Sequence, residues 1–402
     1  MPSPANGKPL RLPVGPDTVR MLRLGHPWVI ADRYTARWPQ IACGALAELA
    51  DEQGAVQGVA LLDPGARVVA RLLGPAPLKF DVSWLVARLE AAARLREWLA
   101  LGETSAWRMV NGEGDGLPGL TIDRYGDDLL VQYYTPAWEP HLGSVVVPAL
   151  QRTCRPRAIY GKYRPQQTRG KESNLKGRLL YGERGAGPQW VTEHGLSFRV
   201  DLEGDLHTGL FLDQRANRVT FRRFAAGRRV LNLFAYTGAF SVVAAAGGAC
   251  QVTSVDASSR YLDWARDNFR RNGFDPAAHR FIAGDCFAVL AQLADSGCRY
   301  DVIFMDPPSF STVRDSRFTT SGGTSELVRL ALTLLSKGGL LVTSSNHQKI
   351  DLADYLKELR RGALAAGRNL RVIETAGQGG DFPFPVTFAE GRYLKYVASV
   401  AE

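Results

Sequence analysis

From about Val200 onward, short apolar runs alternate with amphipathic stretches, and this rhythm constrains the fold more than any other feature of the chain. Strand–helix alternation commits a chain to a mostly parallel sheet, because parallel neighbours need long crossovers. Strands are expected at Val230 to Phe234, Val252 to Asp256, Arg280 to Ile282, Val302 to Met305 and Leu340 to Thr343. Helices are expected at Gly238 to Ala246, Ser259 to Asn272, Phe287 to Leu293 and Ser325 to Leu335. Two later runs, Leu370 to Glu374 and Tyr393 to Val400, predict a final antiparallel pair at the sheet edge. The fold class is α/β.

The first half reads differently. Between Leu10 and Leu73, short alternating apolar runs such as Val56 to Leu62 are broken by Gly and Pro, the pattern of a small β-rich module. Pro75 and Pro77 supply a linker. From Val82 to about Glu103, Leu85, Leu89, Ala92, Leu95 and Leu99 fall at helical spacing. Strand-like runs follow at Leu120 to Asp123, Leu129 to Tyr133, Ala158 to Tyr160, Leu179 to Tyr181 and Leu196 to Val200, which makes an α+β unit. The 402 residues are too many for one ordinary core. The expected sections are 1–75, 76–200 and 201–402.

Net charge is +9, and its distribution matters more than its size. Between Gln151 and Trp190 lie Arg152, Arg155, Arg157, Lys162, Arg164, Arg169, Lys171, Lys176, Arg178 and Arg184, opposed only by Glu172 and Glu183. Tyr160, Tyr163 and Tyr181 are interleaved. Cations for phosphates and rings for unpaired bases suit RNA, while a solvated basic surface is the plainer alternative. The five cysteines (Cys43, Cys154, Cys250, Cys286, Cys298) are scattered, with no CxxC and no His at ligand spacing. That pattern argues against a metal and a disulfide framework, and for a reducing, cytoplasmic setting. The N-terminus lacks the apolar run of a signal peptide, and no run is long enough to span a membrane.

Chemistry is concentrated at the C-terminal ends of the expected parallel strands. The first runs into Phe234, Ala235, Tyr236, Thr237 and Gly238, small residues that let backbone approach a ligand at a helix N-terminus. There is no GxGxxG, so a ligand without a pyrophosphate fits better. The second strand ends in Asp256, placed to accept both ribose hydroxyls of an adenosine. The third leads to Asp285, Cys286 and Phe287, suited to an adenine ring and its amino group. The fourth ends in Asp306-Pro307-Pro308-Ser309-Phe310. Any one acid is also a good helix cap, but together they line one crevice. The two prolines fix the turn, and Phe310 can stack on a base rotated out of its helix. Such an element suits methyl transfer to a nitrogen or a nucleobase.

These residues resemble the RlmI/RlmK-type large-subunit (23S) ribosomal RNA methyltransferases over nearly the whole chain. Arg23-Leu24-Gly25-His26-Pro27-Trp28-Val29 is similar to the opening of that family's PUA domain, an RNA-binding β-barrel. Asn111 to Leu120, followed by Asp123-Arg124-Tyr125, resembles its middle domain. His207-Thr208-Gly209-Leu210-Phe211-Leu212-Asp213-Gln214-Arg215 is similar to the signature entering its catalytic domain. The resemblance implies a Rossmann-like class I methyltransferase domain preceded by a PUA domain and an α+β middle domain. It implies S-adenosylmethionine as cofactor and ribosomal RNA as partner. Gln214, Arg215, Phe234, Thr237, Gly238, Asp256, Asp285, Cys286 and Asp306 would then face the cofactor. Arg23, His26, Arg164, Arg169, Lys171, Lys176 and Arg178 would face RNA. Family members can pair through their catalytic domains, so a homodimer stays open.

One departure bears on the acceptor atom. Members that make 5-methylcytosine carry a cysteine after the fifth strand, because carbon 5 needs covalent activation by a thiolate. Here the segment reads Val342-Thr343-Ser344-Ser345-Asn346-His347-Gln348, with Ser345 where that cysteine would stand. The expected acceptor is therefore guanine N7, with Asp306, Pro307 and Asn346 at the base edge and Phe310 on its face. His347 is either a further base contact or structural. The alternatives are 5-methylcytosine formation by another route, a non-catalytic ribosome assembly factor, and a nicotinamide-dependent dehydrogenase, which the missing GxGxxG disfavours.

Overall fold

The computed structural model describes residues 9–164, 176–204, 207–308 and 323–402. Arg169, Lys171 and Phe310 lie outside the described residues. The N-terminal section is a five-stranded sheet of β1 (Arg11–Pro13), β2 (Trp28–Ile30), β3 (Leu46–Ala50), β4 (Val56–Leu62) and β5 (Val68–Gly74), in the order β1-β3-β4-β5-β2. Helix α1 (Pro16–Arg23), not expected from the sequence, connects the two edge strands and packs on β2 and β4. Leu12, Val29, Leu49, Ala60, Leu62 and Val69 fill this core.

The middle section begins with α2 (Val82–Arg96), capped by the Asp81 carboxylate, which accepts from the Trp84 N–H at 2.9 Å. The helix stops short of the expected Glu103; the chain turns through Leu99, and Gly102 takes a positive φ of 57°. Its sheet contains β6 (Ala106–Asn111), β7 (Leu120–Tyr125) and β8 (Asp128–Tyr133); α3 (Val147–Cys154), β9 (Ala158–Tyr163) and β10 (Arg178–Gly182) follow. The strand order is β10-β9-β8-β7-β6. A hairpin of β11 (Gln189–Glu193) and β12 (Leu196–Val200) leads into the last section.

There α4 (Arg215–Arg222) precedes β13 (Arg229–Leu233), α5 (Ala239–Ala246), β14 (Gln251–Asp256), α6 (Ser259–Arg271), β15 (Arg280–Ala283), α7 (Cys286–Asp295) and β16 (Tyr300–Met305). The chain closes with α8 (Gly323–Leu334), β17 (Leu335–Ser345), α9 (Leu352–Ala365), β18 (Leu370–Ala376) and β19 (Lys395–Ala401). The sheet order is β15-β14-β13-β16-β17-β19-β18. β13 through β17 run parallel, and β19 is antiparallel to both neighbours, as the late runs predicted. Alternation sorts the strand residues by face. Val230, Val302, Phe304 and Val342 point to one buried layer, and Leu231, Leu233, Ile303 and Met305 to the other. Both faces are covered, as a parallel sheet requires. Strand order reverses between β13 and β16, where open α/β sheets form a crevice.

The segment 377–391, between β18 and β19, stitches the sections together. Asp381 is fully buried; its carboxylate pairs with Arg215 at 2.8 Å and accepts from the Arg108 N–H at 2.9 Å. Asn111 Nδ2 donates to the Pro383 carbonyl at 2.8 Å. Gly114 lies so close to that carbonyl that a Cβ would sit 1.9 Å from it, so only glycine fits. Phe388 packs on Trp28 and His26 of the first section, with ring centroids 4.9 and 5.3 Å away.

A second tie joins the hairpin to α4. Glu193 and Arg218, each with a side chain 2% exposed, form a two-pronged pair with both contacts at 2.6 Å. Removing one member of a buried pair strands the other charge. Glu193→Ala is expected to cost about 3–5 kcal/mol of unfolding free energy, read as a lower urea midpoint. A loss below about 1 kcal/mol, the scale of an exposed pair, would show that water reaches Arg218.

Candidate functional site

The crevice opens at the end of β13. Phe234 and Tyr236 both adopt left-handed φ values, 57° and 50°, on either side of Ala235. Two non-glycine residues in this region mean a strained turn, which persists only where its surroundings hold it. Here β14 does so: the Ala235 N–H donates to the Val255 carbonyl at 2.9 Å, and the Tyr236 N–H to Asp256 Oδ2 at 2.8 Å. Asp256 Oδ1 accepts from the Ser258 N–H at 2.9 Å. Burial lifts the Asp256 carboxyl above its ordinary pKa, against the pull of these N–H groups.

Thr237 lines the cleft with its hydroxyl committed elsewhere, and Gly238 has a packing role. The Thr237 hydroxyl donates to the Gly209 carbonyl at 2.6 Å. A Cβ on Gly238 would meet the Ala265 Cβ at 2.6 Å, so this glycine serves the packing of α5 against α6. Asp285 caps α7, its Oδ1 accepting from the N–H groups of Phe287 and Ala288 at 3.0 and 3.1 Å, and its exposed carboxylate remains at the third strand end. Cys286 is buried in the core, and burial pushes its thiol up to about 12. A thiol so hard to ionise is no nucleophile at neutral pH.

On the other side of the crevice, Asp306 directly follows β16 and Ser344 lies in the adjacent β17, where Met305 pairs with Thr343. Gln214 reaches between them: its Nε2 donates to Asp306 Oδ2 at 3.0 Å and to Ser344 Oγ at 2.8 Å. The Asp306 carboxyl is pushed up to about 6, chiefly by loss of hydration, with Asp213 adding repulsion and the Ser344 and Gln214 hydrogen bonds opposing it. Pro307 is buried, Ser345 half-buried and Asn346 exposed beside them. Lys395 Nζ donates to the carbonyls of His347 and Tyr393 at 2.6 and 2.8 Å, bracing this loop from below.

Between the two sides lies a cleft of about 440 Å³, counting space open to solvent, lined by Phe211, Gln214, Asn232, Phe234, Tyr236, Thr237, Phe240 and Asp306 among others. Its walls combine aromatic rings with polar side chains, as small-molecule sites do. Asn232 was not anticipated. Its Nδ2 donates to Ser241 at 2.9 Å, which fixes the amide, and its Oδ1 is buried without a hydrogen-bond partner. An unmet acceptor on a cleft wall suits a ligand's ammonium or amide N–H. The donor set, the aromatic walls and Asp256 nearby fit an adenosine joined to an amino acid.

Several residues expected to face ligands do not. Arg215 is buried and turned to Asp381, because a guanidinium out of water needs a partner. His26 is buried between Trp28 and Phe388, with Nδ1 accepting from the Trp28 N–H at 3.2 Å. The basic stretch is partly neutralised by acids distant in sequence: Arg157 pairs with Asp128, Arg178 with Glu139 and Arg184 with Glu203. Lys162 is buried, with Nζ on the Gly204 carbonyl. Lys176 and Arg23 are exposed, Arg23 bonded to Gln57 and Asp51, and Arg164 is half-buried on Gln132. A larger polar cavity lies among Tyr160, Arg184, Trp190 and Glu203 and shares no lining residue with the cleft. Among the described residues, no group of three or more His, Cys, Asp or Glu could hold a metal ion, and no helix is long and apolar enough to cross a membrane.

Comparison with known proteins identifies the family. Residues 148–391 match the S-adenosylmethionine-dependent methyltransferase family, and residues 13–74 a PUA-like domain. The ribosomal RNA large subunit methyltransferase I of Erwinia tasmaniensis is 35% identical, covering 92% of this chain and 94% of its own. The enzyme of the same name from Escherichia coli is 33% identical over 96% of this chain and 98% of its own. Among solved structures, a methyltransferase in complex with S-adenosylhomocysteine superimposes with a TM-score of 0.87 at 28% identity, covering 97% of this chain and 100% of that one. One from Streptococcus mutans gives a TM-score of 0.83 at 28% identity over the same coverage. The chain belongs to the ribosomal RNA large subunit methyltransferase I family, S-adenosylmethionine-dependent enzymes with a PUA-like domain ahead of a Rossmann-like catalytic fold.

Proposed function

We propose that this enzyme methylates N7 of a guanine in large-subunit (23S) ribosomal RNA. The observation that carries this reading is that Asp306, just after β16, and Ser344 of β17 share the Gln214 carboxamide, with Ser345 and Asn346 following and no cysteine in either segment. Cys286, beside Asp285, lies in the core and is hard to ionise. A ring nitrogen already has a lone pair and needs orientation rather than covalent activation. Asp306 and Asn346 would hold the base edge, and Pro307 would keep the turn rigid. Phe310 remains the proposed stacking partner on the sequence argument alone.

S-adenosylmethionine supplies an electrophilic methyl group when bound. In this reading Asp256 takes the ribose hydroxyls, Asn232 Oδ1 the amino-acid ammonium, and Phe234 and Asp285 the adenine end. The working division of the chain is 1–75 and 76–200 for RNA handling and 201–402 for catalysis. Exposed Lys176 supports contact with RNA phosphates, and Arg178 and Arg23 would join it only by leaving Glu139 and Asp51, which makes binding salt-dependent.

Asp256→Asn exchanges one carboxylate oxygen for an N–H donor, so either the Tyr236 or the Ser258 N–H loses its acceptor, and a ribose hydroxyl on that side loses it too. S-adenosylhomocysteine affinity, read by calorimetry, is expected to fall about tenfold or more, or about 1.4 kcal/mol; unchanged affinity would remove Asp256 from the cofactor site. The acceptor is tested by mass spectrometry of nucleosides from large-subunit RNA incubated with methyl-labelled S-adenosylmethionine. Label is expected in 7-methylguanosine and is expected to vanish with Asp306→Ala. Label in 5-methylcytosine would overturn the assignment.

A further inference from the structure

The hydrogen bonds around Gln214 form a chain with a fixed direction. Gln214 is 2% exposed, and its carboxamide has two N–H protons. Both are committed, one to Asp306 Oδ2 and one to Ser344 Oγ. Its Oε1 accepts from Asn217 Nδ2 at 2.7 Å, and Asn217 Nδ2 also donates to the Gly377 carbonyl at 3.2 Å. Asn217, 1% exposed, lies three residues along α4 and so shares a helical face with Gln214. With the Gln214 amide reversed, Oε1 would face the Asp306 carboxylate and Nε2 would face the Asn217 N–H protons. Both contacts are repulsive, and neither group has water as an alternative.

We propose that Asn217 is a positioning residue for the methyl-transfer site: it locks the Gln214 carboxamide in the one orientation that holds Asp306 Oδ2, leaving Asp306 Oδ1 for the acceptor base. The inference deepens the functional reading above and rests on its placement of Asp306. Asn217 does not itself line the cleft; its bond is to Gln214, which does, so it acts through Gln214. Its second bond, to Gly377, ties the relay to the segment that joins the three sections.

The consequence is legible in the ionisation of Asp306. Among the described residues, Asp213 is the charged group that opposes ionisation of Asp306; Gln214 and Ser344 favour it by donating, and the Tyr355 hydroxyl lies close by. The carboxylate form is lost as pH falls through its pKa of about 6. Losing the Gln214 donor removes a contribution that lowers this pKa, so the acidic limb must move upward.

The test uses Asn217→Asp, which keeps the shape and sets an acceptor against Gln214 Oε1, and Asn217→Ala, which frees the amide to turn. The expected result is a kcat for ribosomal RNA about tenfold lower, with the acidic limb of the pH–kcat profile raised by roughly half to one unit. S-adenosylhomocysteine affinity should stay within about twofold of wild type. Carbon-13 NMR titration of aspartate-labelled protein, with Asp306 assigned by Asp306→Asn, reads the same shift without turnover. An unmoved Asp306 titration in folded Asn217→Asp overturns the proposal, as does a loss confined to thermal stability or cofactor affinity. Wild-type protein that transfers no methyl group to ribosomal RNA would instead refute the underlying functional reading, and the NMR titration would still decide the Asn217 relay.

Discussion

Burying a guanidinium is costly unless its charge and hydrogen bonds are met, and α4 buries two within four residues, Arg215 and Arg218. Much of the architecture answers that demand. Arg218 takes both oxygens of Glu193, which fixes the hairpin before the catalytic fold. Arg215 takes Asp381, which also receives the Arg108 N–H from the middle sheet and so seals the seam between sections. Gln214 and Asn217, on the same short stretch, carry the order inward to Asp306. One polar helix therefore sets both how the sections join and how the site is aimed.

The catalytic sheet supplies the other half of the site. Strand order reverses between β13 and β16, so their ends part and leave a cleft. β14 holds the strained turn at Phe234 and Tyr236 through the Val255 carbonyl and the Asp256 carboxylate. That acid both builds the turn and stands at the cleft, and Asp285 likewise caps α7 while remaining exposed at a strand end. Capping and ligand binding are compatible here because a carboxylate has more lone pairs than a cap requires.

The parallel strands were legible because buried β runs and their crossovers leave a periodic signature, as at Val230 to Leu233 and Val302 to Met305. Helix α4 was not: its buried face is Arg215, Asn217, Arg218 and Phe221, which carries almost no apolar pattern. Gly238 looked like a ligand-approach glycine, yet its neighbour is Ala265, a contact no local pattern encodes. The basic stretch overstated its field, because Asp128, Glu139 and Glu203 answer Arg157, Arg178 and Arg184 from elsewhere in the chain. Asn232 did leave a signal, a lone amide inside an apolar strand run, and it marks the cleft wall.

The cleft between β13 and β16 is the proposed cofactor site, with Asp256 at the ribose and Asp306 at the transferring end. A crystal structure of the complex with S-adenosylhomocysteine tests it most directly. Both ribose hydroxyls are expected within hydrogen-bond distance of the Asp256 carboxylate, and the amino-acid ammonium on Asn232 Oδ1. A ligand bound away from Asp256, or seated in the polar cavity beside Arg184 and Trp190, would contradict it.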